Sequence, residues 1–192
     1  MRTKIDLREL ALITLAAIAW MAVFRPGPLS LPYFWDEADV YVPGARLIAE
    51  SGFSIGPAEL SDDYSRGHPP LFYYLAAACF ALFGTAPAVG HLFVLPFAVL
   101  SLVGTYVLGT SLWDRRVGAA SAMLLGATPL FLSIGNMMLP EIALTAAAVW
   151  GFVAFAHGRL GWAAAAGVFG VLLKETGLAA PAAVGIAVLY DA

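Results

Sequence analysis

Asp36 and Glu37 stand side by side directly after the aromatic run Tyr33, Phe34 and Trp35. Crowded carboxylates raise each other's pKa, which can poise one as a general base, and their oxygens can jointly hold a hard divalent cation. The same pair also suits a solvated loop, or the first turn of a helix, where the dipole favours acids. A further acid, Glu141, follows Pro140 and is the one charged residue between 117 and 158. An ionisable group at membrane depth is expensive and points by default to function; the plainer reading is a marker of a short turn. Lys174 and Glu175 form a boundary pair between two apolar segments. They can neutralise one another, or Lys174 can meet an anionic headgroup or phosphate and supply the positive charge that a leaving phosphate requires. Arg66 and His68 precede Pro69 and Pro70 at the start of an apolar helix, a place suited either to a phosphate or to interface anchors. His91 and His157 read as packing or interfacial residues rather than metal ligands.

The elements that must position these groups are apolar to an unusual degree. The chain has 192 residues, 61% hydrophobic and 12% charged, with a mean hydropathy of +0.83. A soluble domain carries about 25% charge, so much of this surface faces lipid rather than water. A net charge of −3 and the lack of a basic stripe exclude a nucleic-acid partner. The single cysteine, Cys79, lies in an apolar run and reads as a small packing residue. No phosphate-binding loop, dinucleotide fingerprint or nucleophile elbow is present.

Charges cluster, and the charge-free gaps have roughly membrane length. They predict an all-α polytopic transmembrane bundle of about six spans, at 10–24, 89–113, 117–139, 142–156, 161–173 and 177–190, in a single membrane domain, 1–192. The first span reads as an uncleaved anchor, because Arg25, Pro26, Gly27 and Pro28 follow it without a small-x-small cleavage site. The segment 69–83 is short for a span and reads as an interfacial helix, with Phe72, Tyr73 and Tyr74 at headgroup level. That choice puts Arg115, Arg116 and Arg159 in the cytoplasm with the basic N-terminus, as the positive-inside rule prefers. It leaves a large extracytoplasmic loop, 25–88, which holds Asp36, Glu37, Asp39, Glu50, Glu59, Asp62 and Asp63, and it turns Glu141 to the same outer face. Within the loop, 37–51 reads as a short amphipathic helix with Val40, Ala45, Leu47 and Ile48 on its apolar side and Gly52 as its stop.

Taken in order, these landmarks resemble the lipid-carrier-dependent glycosyltransferases of the GT-C fold, among them protein O-mannosyltransferases and the aminoarabinose transferases of lipid A. Phe34-Trp35-Asp36-Glu37-Ala38 with Tyr41 and Ala45-Arg46 is similar to the family's first-loop acidic motif. Gly67-His68-Pro69-Pro70-Leu71-Phe72-Tyr73-Tyr74 resembles its Lys/His-Pro-Pro-Leu-aromatic-Tyr segment. Leu139-Pro140-Glu141 resembles the second acidic site, and Leu173-Lys174-Glu175-Thr176-Gly177 its later lysine element. The resemblance implies inverting transfer of a sugar from a polyprenyl phosphate to a protein, lipid or glycan acceptor on the outer face of a bacterial cell membrane. It implies Asp36 as general base with Glu37 assisting, and Glu141 positioning the acceptor or, with Asp36, a divalent metal. Lys174, Arg66 and His68 would hold the donor phosphate. His68 stands where several relatives have lysine, and Glu175 beside Lys174 cancels part of its charge. The likeness is to the N-terminal portion of a longer transferase. Two other readings fit the residues: a non-catalytic relative that binds lipid phosphate or a partner membrane subunit, and a small transporter with Glu141 and Lys174 on its path.

Overall fold

The computed structural model describes residues 5–24, 26–56 and 60–190. Arg2, Lys4, Arg25 and Glu59, which entered the charge argument, lie outside them. Every regular element among the described residues is helical. In chain order these are α1 (Leu7–Val23), α2 (Pro26–Leu29), a π-helical turn (Glu37–Tyr41), α3 (Val42–Glu50), α4 (Asp62–Ser65), α5 (Leu71–Phe83), α6 (Pro87–Phe93) and α7 (Leu95–Leu112). After them come α8 (Arg115–Ala127), α9 (Pro129–Ile134), α10 (Pro140–Ala156), α11 (Leu160–Leu173), a 3₁₀ turn (Glu175–Leu178) and α12 (Ala179–Tyr190).

Among the described residues one helical stretch, Pro87–Leu112, is long and apolar enough by itself to cross a membrane; α5, α10, α11 and the 3₁₀–α12 unit are apolar but shorter. That stretch starts two residues earlier than the span expected at 89–113 and is interrupted at Val94, because Pro96 has no N–H for the preceding turn. The segment expected as a single span at 117–139 is instead two helices and a linker. Thr128 is extended ahead of Pro129, and its hydroxyl accepts the Phe131 N–H to cap α9. Hydropathy passes over this break because the residues on both sides of it, from 117 to 127 and from 130 to 135, are apolar or small.

Helix α7 is the centre, packed on α1, α8 and α10, while α10 carries α11 and α12. Small residues permit the closest crossings, as they do in lipid, where packing rather than exclusion of water drives association. A Cβ on Gly109 would lie 2.8 Å from Gly118 Cα, and one on Gly118 would lie 2.2 Å from Thr110 Oγ1. Ser101 approaches Ile142, and Gly104 lies against Val149 and Trp150, so α7 and α10 run in the same direction. Their C-terminal turns therefore lie together. At that end Arg115 donates to Glu9 from Nε and Nη2, at 2.8 Å each, and Tyr106 donates to the same carboxylate. An apolar groove between α1, α7, α10 and α11 ends there beside Ser111, His157 and Arg159. The first-loop helices form a second layer at the opposite end, where α3 packs on α5.

The amphipathic helix is present with a change of pitch. Pro43 lacks an amide hydrogen, and the turn before it widens so that the Val42 N–H reaches back to the Glu37 carbonyl. Val40, Ala45 and Ile48 are buried as expected, but Leu47 faces outward. Gly52 has φ +63° and ends the helix. In α5, Phe72, Tyr73, Ala76, Ala77 and Phe80 are buried, Leu82 and Phe83 are exposed, and Cys79 is half-buried.

The glycine crossing yields a stability test. Gly118→Val would force α7 and α8 apart and should cost about 1–3 kcal/mol, read as a lower melting temperature of the purified protein. A melting temperature equal to that of the parent would contradict the crossing.

Candidate functional site

Asp36 and Glu37, adjacent in sequence, point in different directions. Trp35 is held at φ +55°, a left-handed conformation that side chains rarely adopt, and this kink presents Asp36 at the mouth of the loop layer. Asp36 remains one-third exposed, and Arg66 Nη1 lies 3.4 Å from its Oδ1 in a loose ion pair. Arg66 is also left-handed, at φ +47°, as it terminates the one-turn helix α4. Glu37, one position further round the widened turn, is 1% exposed. Its Oε1 accepts the Met138 N–H at 2.5 Å and lies 3.3 Å from His91 Nε2, while Oε2 accepts the Phe34 N–H at 3.3 Å. The structure therefore separates the expected carboxylate pair into one group that faces solvent and one that faces the core.

Glu141 occupies the first turn of α10, where the helix dipole suits a carboxylate. Lys174 Nζ reaches it at 2.5 Å, with the lysine side chain 16% exposed. Lys174 and Glu175, for which mutual neutralisation was one of two readings, each pair with a different residue. Lys174 is extended, at φ −159°, so consecutive side chains leave on opposite sides of the backbone. One goes to Glu141, and the other meets His68 Nδ1 at 2.9 Å. The turn that does this is clamped onto α11 by glycine: a Cβ on Gly177 would fall 2.3 Å from the Gly170 carbonyl.

Tyr41 ties the pairs together. It is buried, stacks on His68 with ring centroids 6.1 Å apart, and meets Phe72 edge-on at 5.5 Å. Burial drives its hydroxyl well above the usual tyrosine range, and Glu141, Tyr73, Asp36 and Glu175 add to that in the same direction. Five expected site residues, Asp36, Arg66, His68, Glu141 and Lys174, thus converge on one end of the bundle, opposite Arg115. Glu37 lies behind them. Sequence reasoning gave Tyr41 no role beyond its place in a motif and treated Glu175 only as a counter-charge to Lys174. It also set His91 aside as packing, although His91 pairs with Glu37.

No group of three or more His, Cys, Asp and Glu side chains suited to a metal occurs among the described residues. Asp36 and Glu141 each face a cation, and Glu141 Oε2 is buried without a hydrogen-bond partner. Two carboxylates already matched by Arg66 and Lys174 do not make the oxygen-rich shell of a hard cation.

The Glu175 carboxyl is pushed up by burial, but the His68 hydrogen bond, its own backbone and the neighbouring charges outweigh this and hold it below its ordinary 4.5. A depressed carboxyl stabilises the fold above the ordinary carboxylate range, and the contribution disappears as pH falls through the folded value. Glu175→Gln is accordingly expected to lower the melting temperature at neutral pH by a margin that shrinks below pH 4.5. A margin independent of pH would contradict the pairing.

No curated protein sequence and no solved structure matches the chain. A family model described as dolichyl-phosphate-mannose-protein mannosyltransferase matches residues 67–191. The match takes in His68, Glu141, Lys174 and Glu175 and all elements from α5 onward, while Asp36, Glu37 and Arg66 precede it. With close to two-thirds of its length matched, the chain belongs to the dolichyl-phosphate-mannose-protein mannosyltransferase family, a GT-C type of glycosyltransferase.

Proposed function

We propose that the protein transfers a sugar, with inversion, from a polyprenyl-phosphate donor to an acceptor hydroxyl or amine at the extracytoplasmic face of a bacterial cell membrane. The observation that carries this reading is the meeting of Asp36–Arg66, Glu141–Lys174 and His68–Glu175 around Tyr41, at the end of the bundle remote from Arg115. In this reading the apolar helices span the bilayer singly or as hairpins, α5 lies in the interface, and loop 25–88 faces outward.

Asp36 is the general base. Its carboxylate is one-third exposed and is held only by a loose contact with Arg66, so an acceptor can approach it. As the acceptor approaches, its proton passes to Asp36, the new bond forms to the anomeric carbon, and the bond from that carbon to the phosphate oxygen breaks on the opposite side. The displaced polyprenyl phosphate carries the electron pair away. Lys174, Arg66 and His68 are placed to meet its charge, exchanging their present carboxylate partners for the phosphate. Glu141, held by Lys174, positions the acceptor, and Glu37 assists from behind by fixing the turn that carries Asp36. The exposed Phe34 and Trp35 beside Asp36 suit an interfacial location, where amphipathic aromatic rings collect.

The test uses purified protein in lipid with a polyprenyl-phosphate-linked sugar. Asp36→Asn should lower transfer about 10²-fold or more while leaving lipid-phosphate binding intact, whereas Lys174→Ala should weaken that binding. Undiminished turnover in Asp36→Asn would remove the base from Asp36.

A further inference from the structure

Glu37 and His91 form a buried pair behind the solvent-facing residues of the site. Glu37 is bonded to three separate parts of the chain: the Phe34 N–H in the first loop, the Met138 N–H in the linker before α10, and His91 in the last turn of α6. Asp36 is its immediate neighbour, and Glu141 comes three residues after Met138. His91 is 3% exposed, and Tyr33 meets its ring edge-on at 5.5 Å while donating its hydroxyl to the Ala86 carbonyl at 2.9 Å. A Cβ on the adjoining Gly90 would stand 2.5 Å from Tyr33 Oη and 3.0 Å from Met138 Sδ. The pair therefore sits in a fitted pocket where loop, helix and linker meet.

We infer that His91 is a positioning residue for the transferase site. By partnering Glu37 inside the core it sets the spacing between Asp36 and Glu141. The inference rests on the reading of Asp36 and Glu141 as the two acids of that site. A carboxylate this deep stays only where donors match it, since an unmatched buried charge turns toward water or takes up a proton. Without His91, Glu37 loses one of its three partners, its grip on the Met138 N–H weakens, and the segments bearing the two acids are free to move apart. Polar networks of this kind specify a geometry only while every member is satisfied. Displacements of about 1 Å at a reacting centre cost up to about 10²-fold in rate. His91 thus acts through Glu37 and contacts neither substrate.

The experiment compares His91→Leu, which keeps bulk but has no donor, with His91→Gln, which keeps an N–H near the Nε2 position. Both are made in the full chain, reconstituted in lipid with Cys79→Ala. His91→Leu is expected to lower kcat about tenfold or more with the donor KM within about twofold, and His91→Gln to recover most of it. A second readout needs no turnover: nitroxides on Phe34→Cys and Ser133→Cys should give one narrow distance distribution in the parent, a broad one in His91→Leu and a narrow one again in His91→Gln. If His91→Leu fails to fold, His91→Asn, whose amide is too short to reach Glu37, should broaden the distribution instead. An unchanged distribution in the donor-less variant, or a wild-type kcat in it, overturns the positioning role. The expected distance changes in a protein whose parent transfers no sugar would sustain the clamp and overturn the transferase reading instead.

Discussion

A carboxylate set into an apolar bundle must be met by a cation or by N–H donors, because stranding the charge costs more than most single contacts return. The protein solves this by pairing acids with groups far away along the chain. Asp36 meets Arg66 across 30 residues, Glu141 meets Lys174 across 33, Glu9 meets Arg115 across 106 and Glu175 meets His68 across 107. Each match ties together segments that are distant along the chain. Three of these four matches lie at one end, and that concentration draws segments around residues 36, 66–68, 141 and 174–175 into a single site. Surface pairs of this sort contribute little to stability. Their main effect here is to choose which segments meet.

The two ends of the bundle differ in kind. Helix α10 has 17 residues, so about 25 Å separates Glu141 in its first turn from the turn that leads to Arg159. That is close to the roughly 30 Å thickness of a bilayer core. Between the ends lie α7 and its neighbours, where Gly109 on Gly118 and Gly170 on Gly177 let backbones touch. The second of these contacts matters for chemistry as well as packing, because it fixes the extended residue from which Lys174 and Glu175 part. Backbone strain is concentrated in the same region. Of the three left-handed residues other than glycine, Trp35 adjoins Asp36 and Arg66 is its partner, while Phe53 lies in the turn after α3.

Much of the site was legible because charge is so scarce in this sequence. Asp36, Arg66, His68, Glu141 and Lys174 stand out against apolar surroundings, and Asp36 follows an aromatic run while His68 and Glu141 each adjoin a proline. The partners were not legible. Lys174 next to Glu175 looks self-neutralising in one dimension, and only the extended backbone between α11 and the 3₁₀ turn sends them apart. Asp36 and Glu37 looked like one functional unit, yet the wide turn required by Pro43 rotates Glu37 into the core against His91 and Met138. The helical class followed from composition, whereas the break at Thr128–Pro129 did not, because hydropathy averages over a local backbone preference. Leu47 shows a similar limit: the apolar stripe was right for Val40, Ala45 and Ile48, but Leu47, in the regular helix after the wide turn, faces outward.

The central claim is that the paired acids and the arginine turns face opposite sides of a bilayer. Single cysteines at Asp63, Glu175, Arg115 and Arg159, in a Cys79→Ala background, can be treated in intact cells with a membrane-impermeant thiol reagent. The account predicts labelling at 63 and 175 from outside, with 115 and 159 reacting only after permeabilisation. Labelling of 175 and 159 from the same side would contradict it.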